Sequence, residues 1–256
     1  MTDHAEPHPE DHPETPDAAA GGFDTMTAIR DAIVEHALIH VAFDGWSPKT
    51  LRAAAVDAGF EASQGDRAFL GGSIEAVAHW CDLADRRMEQ ALHEADTTGL
   101  RLHERVGLAI KLRLQMWDMD REAVRRAVAL MSLPGNARTS LRCTYRTVDT
   151  IWWAVGDTST DFNFYTKRLQ LSGVYSATLL YWLDDSSEES EETWSFLGRR
   201  LNDIVRLHKA RGRVKKGLSK LPNPLRAARS ASEKAQRLAR KAPMPRMRTQ
   251  RRPHRA

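Results

Sequence analysis

An all-α fold is predicted from three observations. Apolar residues recur at helical i, i+3, i+4, i+7 spacing in successive stretches from Thr27 to His208. Gly45, Gly59, Gly71-Gly72, Leu133-Pro134-Gly135 and Gly156 punctuate those stretches as helix stops. The stretch Thr147 to Leu183 then reads as two helices around a polar turn. Val148, Ile151, Trp152 and Val155 share one face of the first, and the second carries no charge from Leu169 to Leu183. A helix apolar on nearly all sides sits inside a bundle or spans a membrane. This run is too short and too rich in Ser, Thr and Gln to span, so a central helix is predicted.

The elements follow in order. Ile29, Ile33, Val34, Ala37, Leu38 and Val41 define a helix over Thr27 to Phe43, capped near Thr25 or Thr27. Ser47-Pro48 opens a second, because Ser caps and Pro suits the first helical position; it ends at Gly59. A third element lies within Phe60 to Phe69, and a long helix runs from Ser73 to about Ala95. Leu100 to Trp117, Arg121 to Met131 and Arg138 to Val155 supply three more helices. Met116, Trp117, Met119 and Met131 are adaptable fillers, suited to a flexible apolar ligand or to ordinary core. After Leu183, Trp194, Leu197, Leu201, Ile204 and His208 form a last stripe, acidic at its start and basic at its end, which complements the helix dipole.

The net charge of +4 conceals an asymmetry. From Arg199 onward 20 Lys/Arg face only Asp203 and Glu233, whereas the preceding part sets 18 Lys/Arg against 32 Asp/Glu. A basic end on an acidic body implies an anionic partner, a lipid surface or nucleic acid. Leu218, Leu221, Leu225 and Leu238 stand among Arg226, Arg229 and other bases, with Pro222 and Pro224 splitting the region and a helix expected from about Asn223 to Lys241. Such a segment suits an anionic membrane surface. Residues 1–22 are acidic, Pro-rich and free of Lys and Arg, unlike a mitochondrial presequence, and have no apolar signal core. His4, His8 and His12 there read as a solvated tail, not a metal site. Cys81 and Cys143 make no disulfide framework or metal pattern and read as buried small residues in a reducing compartment.

Catalytic machinery is not legible. GxGxxG, P-loop, HExxH, GxSxG and CxxC patterns are absent, and turn or cap roles explain Asp157 and Asp161, so no enzyme, metal or catalytic residue is expected.

Two resemblances carry the reading further. The N-terminal order, with Gly45-Trp46, Ala54-Ala55, Ala58-Gly59 and Phe69, resembles the three-helix unit of TetR-type regulators. Where those place a recognition helix, this chain has Glu-Ala-Ser-Gln-Gly-Asp-Arg over 61–67, two acids against one base. DNA recognition wants Arg, Lys, Asn or Gln there, so no specific DNA binding is expected. The second resemblance covers about Leu130 to Arg206. The run DTIWWAVGDTSTDFNFYTKRL, continuing to VYSATLLYWLDDSSE and the TWxFLxRRL helix, resembles a bacterial form of the lipid-binding proteins of ubiquinone (coenzyme Q) biosynthesis, the ninth of the Coq series.

This resemblance implies a TetR-like helical bundle, a homodimer, that binds isoprenoid lipid, docks on membranes through a C-terminal amphipathic helix and presents a quinone intermediate to a ring hydroxylase. No cofactor is implied beyond a bound isoprenoid or phospholipid. The domains would be a tail over 1–25, a lipid-binding bundle over 26–212 with its helix-turn-helix-like unit at 26–72, and a basic membrane-binding tail over 213–256. Leu169, Tyr175, Leu179 and Trp182 would line the lipid site; Leu218, Leu221, Leu225, Arg226, Arg229 and Leu238 would meet the membrane. The partner-facing surface would map to Asp149, Ile151, Asp161, Phe164, Tyr165 and Arg168, with Arg168 facing solvent or the partner. Location would be cytoplasmic, peripheral to the inner face of the bacterial plasma membrane. The competing readings are a ligand-responsive TetR-type transcriptional regulator and a protein that binds nucleic acid through its basic tail alone.

Overall fold

The computed structural model describes residues 18–157, 162–219 and 233, with side chains at 25–157, 165–207 and 233. Nine α-helices and no strand occur among the described residues. They are α1 (Ala18–Asp44), α2 (Pro48–Asp57), α3 (Ala62–Ala68), α4 (Ser73–Glu94), α5 (Leu102–Gln115), α6 (Arg121–Met131), α7 (Ala137–Ala154), α8 (Phe162–Asp184) and α9 (Glu191–Ser219). The chain divides into two units, Met1–Ile204 and Val205–Ala256. The division falls inside α9, which continues through Gly212, so no helix break marks the predicted boundary at 212–213.

α1 begins at Ala18, inside the stretch read as tail, so neither Thr25 nor Thr27 caps it. Its Ala18-Ala19-Ala20 lead-in has the highest intrinsic helix preference. Ile33, Val34, Ala37 and Val41 are wholly buried. Gly45 ends the helix at φ +66, a left-handed conformation that glycine adopts without a Cβ penalty. Ser47 then caps α2, its hydroxyl accepting from Thr50 N at 3.1 Å, with Pro48 at the first helical position. α3 crosses α2 at Gly65, where a Cβ would lie 2.5 Å from the Leu51 carbonyl oxygen. The three-helix unit is joined to α6 by Trp46, whose indole donates to Ala123 O at 3.2 Å.

The innermost helix is α4, which buries Ala76, Val77, Trp80, Leu83, Ala84, Asp85, Met88 and Leu92 against α1, α5, α6 and α7. Trp80 sits between Trp46 and Trp117, ring centroids 5.3 Å and 4.9 Å away, the second pair edge-on. α8 is not enclosed on all sides, contrary to the expectation of a central helix. Leu171, Tyr175, Thr178 and Trp182 are buried, whereas Tyr165, Leu169 and Leu180 are exposed. Freedom from charge made all faces look alike, but only the one meeting α7, α5 and α6 is covered. Arg121 closes the C-terminal end of α8, donating to Trp182 O at 3.1 Å and Asp185 O at 2.7 Å. Asp185 in turn accepts from Thr193 N at 2.9 Å at the start of α9.

Candidate functional site: an apolar cavity with a polar floor

A cavity of about 240 Å³ opens between α4, α5, α6, α7 and α8. Its apolar wall includes Trp117, Val128, Met131, Leu179 and Trp182, and its mouth lies by exposed Ser132 and Leu180. Tyr175, Leu179 and Trp182 therefore come together as the sequence suggested. Leu169 does not join them. It lies 76 % exposed, because the stripe of 171, 175, 178 and 182 faces inward and 169 falls off it. Of the four adaptable fillers, Trp117 and Met131 line the cavity, Met116 packs on the core and Met119 projects into solvent.

The deep end is polar, a feature the sequence reasoning missed. Arg113 Nε donates to Asp85 Oδ1 at 2.7 Å, and Arg113 Nη1 donates to Tyr175 Oη at 2.7 Å. Thr147 Oγ1 donates to Asp85 Oδ1 at 2.8 Å, and Arg146 Nε donates to Oδ2 of the same carboxylate at 3.2 Å. Arg113, Asp85, Thr147 and Tyr175 are all buried. Removing one partner of such a pair leaves a buried charge uncompensated and typically costs about 3–5 kcal/mol. Burial opposes the charge on Arg113, but the electrostatic pull and hydrogen bond of Asp85 help hold the pKa above its usual value. Burial pushes the Tyr175 hydroxyl up to about 12, so it keeps its proton. A usable signal existed: Val106, Ala109, Ile110, Arg113 and Leu114 place an arginine on an apolar stripe, where only a buried partner makes it tolerable.

Cys81 and Cys143 also face this cavity. A hydrogen bond between the two thiols raises the pKa of Cys81 and lowers that of Cys143, to about 7. The expectation of buried small residues holds for Cys143, whereas Cys81 is only partly buried, and it does not include this pairing.

The proposed partner surface is only partly gathered. Ile151 is wholly buried in the core and cannot face a partner: its i, i+4 spacing with Val155 puts it on the inward stripe of α7. Arg168 is likewise buried, contrary to the expectation that it faces solvent or a partner; its Nε donates to Asp149 Oδ1 at 2.6 Å, which makes burial tolerable. Tyr165 is 69 % exposed, and on α7 Leu141, Tyr145 and Trp153 are exposed as well. Asp161 and the side chain of Phe164 lie outside the described residues, as do Leu221, Leu225, Arg226, Arg229, Leu238 and the expected helix over 223–241. Leu218 belongs to α9 by its backbone, and its side chain too lies outside them. No helix among the described residues is long and apolar enough to cross a membrane.

The arrangement is that of a TetR-like helical protein with an internal cavity. The crystal structure of the TetR transcriptional regulator from Nitrosomonas europaea superposes with a TM-score of 0.56 at 24% identity, covering 68% of this chain and 97% of that one. Residues 137–208, which hold α7, α8 and the first part of α9, match the COQ9 family model. The chain is 30% identical over 200 residues to the mitochondrial ubiquinone biosynthesis protein COQ9 of Rattus norvegicus and 28% identical to that of Homo sapiens, matching 75% of this chain in each case. It spans just under two thirds of those relatives, 64% and 63% of their lengths. The chain is thus similar to COQ9 proteins over three quarters of its length and has a TetR-like fold.

Proposed function

We propose that this chain is a non-catalytic, lipid-binding accessory protein of ubiquinone biosynthesis. On this reading it holds an isoprenoid quinone intermediate at the membrane and presents it to the ring hydroxylase of the pathway. The cavity under α8 carries the proposal: an apolar hollow lined in part by α7 and α8, which lie in the segment that matches the COQ9 model. A polyprenyl quinone does not travel through water, since each buried methylene is worth roughly 0.8 kcal/mol. A helper must therefore work at the bilayer and shelter part of the molecule. The relatives' names place them in ubiquinone biosynthesis, which supports the same assignment here.

Membrane attachment falls to the basic C-terminal segment, in keeping with 20 Lys/Arg against two acids from Arg199 onward. The place of work is then the cytoplasmic face of a bacterial inner membrane. The hydroxylase would dock where Tyr165, Trp153 and the half-exposed Asp149 carboxylate meet solvent, because aromatic side chains dominate interface hot spots. A second copy of the chain would cover further exposed apolar surface, giving a homodimer. Against DNA recognition, Asp66 on α3 holds Arg52 on α2 at 2.8 Å and occupies a base that would otherwise meet phosphate.

The test pairs two measurements on the full chain. Mass spectrometry of lipid extracted from the purified protein is expected to find an isoprenoid or acyl lipid. Co-sedimentation with anionic vesicles is expected to fail once residues 213–256 are removed and to weaken with salt. A folded protein with no lipid and no vesicle binding would overturn the proposal.

A further inference from the structure

Helix register sets two thiols side by side. Thr147 Oγ1 on α7 donates to Asp85 Oδ1 on α4 at 2.8 Å. Cys143 and Cys81 each stand four residues before these partners, one turn back, or ~5.4 Å along each helix axis. The two helices run in the same direction. Beyond the Asp85–Thr147 bond, Glu89 and Gln90 of α4 border one hollow with Trp153 and Ala154 of α7. Before it, Val77 of α4 and Ser140 of α7 both line the cavity. Parallel packed helices keep such a register, so Cys81 lies beside Cys143; the two thiols are hydrogen-bonded, and both line the cavity. Thiols this near need little further approach to join.

Their surroundings give the two sulfurs different roles. The hydrogen bond from Cys81 lowers the Cys143 pKa to about 7 against the opposition of burial, with Arg146 and Arg113 favouring the thiolate and Asp85 opposing it. The same bond, together with burial, pushes Cys81 up. Cys143 is therefore the thiolate of the pair and Cys81 the proton donor. A cysteine closed off in a core is inert, whereas a thiolate beside cations reacts once a reagent can reach it. The cavity supplies that route, with its mouth by Ser132 and Leu180.

We propose that Cys81 and Cys143 form a reversible redox site, which a small hydroperoxide entering the cavity oxidises to a disulfide that braces α4 against α7. The site is independent of the lipid-binding reading. The Cys143 thiolate attacks one peroxide oxygen and the O–O bond breaks. Hydroxide leaves, takes up the proton that Cys143 had released, and becomes water; a sulfenic acid remains on Cys143. Cys81 sulfur then attacks the Cys143 sulfur. Its thiol proton goes with the departing hydroxide as a second water, and the S–S bond forms. Two thiols are oxidised by two electrons in all, and one hydrogen peroxide is reduced to two waters. Thiol reductants return the pair to its starting state, the behaviour of a sensing pair and not of a permanent staple.

The experiment exposes the full, reduced chain to hydrogen peroxide at about pH 7, where Cys143 is half thiolate. Mass spectrometry is expected to show the loss of two hydrogens, with Cys81 linked to Cys143 inside one chain. The melting midpoint is expected to rise by about 5–10 °C, and dithiothreitol to reverse both changes. Cys81→Ser, which lacks the second sulfur, is expected to stop at a sulfenic acid that dimedone traps on Cys143. Cys143→Ser is expected to leave Cys81 as a thiol under the same exposure. Peroxide that leaves both thiols unlinked, or that joins two chains instead of two helices, would overturn the site. A linked chain whose midpoint does not rise would overturn the brace. Should either variant fail to fold, the linkage found in the unaltered chain decides alone.

Discussion

Arg168 Nε donates to Asp149 Oδ1 at 2.6 Å, and the two ends of that bond lie in different surroundings: the guanidinium is buried, and the carboxylate is 45% exposed. The pair ties α8 to α7, three residues along α8 from the exposed Tyr165. Asp149→Ala removes one acceptor of a buried cation, which costs about 1–2 kcal/mol once the carboxylate's exposure is discounted from the usual value for a charged hydrogen bond. Tyr165→Ala, at an exposed position, should stay within about 0.5 kcal/mol. Thermal melts of the two variants are expected to separate accordingly, with Tyr165→Ala nonetheless lowering cellular ubiquinone if this surface docks the hydroxylase. A large fall in melting temperature for Tyr165→Ala would mark the ring as part of the fold.

Gly65 supports the crossing of α2 and α3 by having no side chain. Alanine there would gain about 1 kcal/mol of helix propensity, but its Cβ would sit 2.5 Å from Leu51 O and 2.9 Å from Arg52 N. Backbone cannot swing aside as a flexible side chain does, so the clash wins, and Gly65→Ala should destabilise by about 1–3 kcal/mol. Chemical denaturation measures this directly. An unchanged midpoint would mean that α3 shifts freely.

His79 links pH to stability. Burial, opposed by the hydrogen bond to Asp31, holds its pKa below the ordinary 6.5. The unfolded chain therefore takes up the proton first as pH falls, so the contribution is complete above 6.5 and lost on the way down through the lower folded value. Melting temperature should fall on acidification below pH 6.5, and His79→Gln should flatten that slope. A slope unchanged by the substitution would assign the effect to other groups.

Cys143 offers a probe of the cavity. With its pKa lowered to about 7 by the Cys81 hydrogen bond, its alkylation rate should reach half its maximum near pH 7, where an ordinary thiol is at half-maximum near ~8.5. A bound ligand should slow the labelling, since Cys143 lines the same space. Mass spectrometry after timed exposure to iodoacetamide gives both results, and labelling indifferent to ligand would place the ligand elsewhere.

The sequence by itself determined the helices, because their signals are local. Ser47-Pro48 opens α2, Gly156 closes α7 at φ +81, and Arg121 to Met131 appears as α6 with the bounds its periodicity predicted. It also carried the resemblance: the run from Asp149 to Leu183 lies within the segment that matches the COQ9 model, and its likeness was legible without knowledge of the packing. Tertiary structure alone decided which faces are covered. An uncharged helix looks the same all round in sequence, and only contact with α5, α6 and α7 buries Tyr175 and Trp182 while leaving Leu169 in solvent. The same holds for the polar floor. Asp85, Arg113, Thr147 and Tyr175 come from four helices, and no local spacing relates them. Their meeting depends on desolvation, since a charge on an apolar stripe must find its partner wherever the fold puts one.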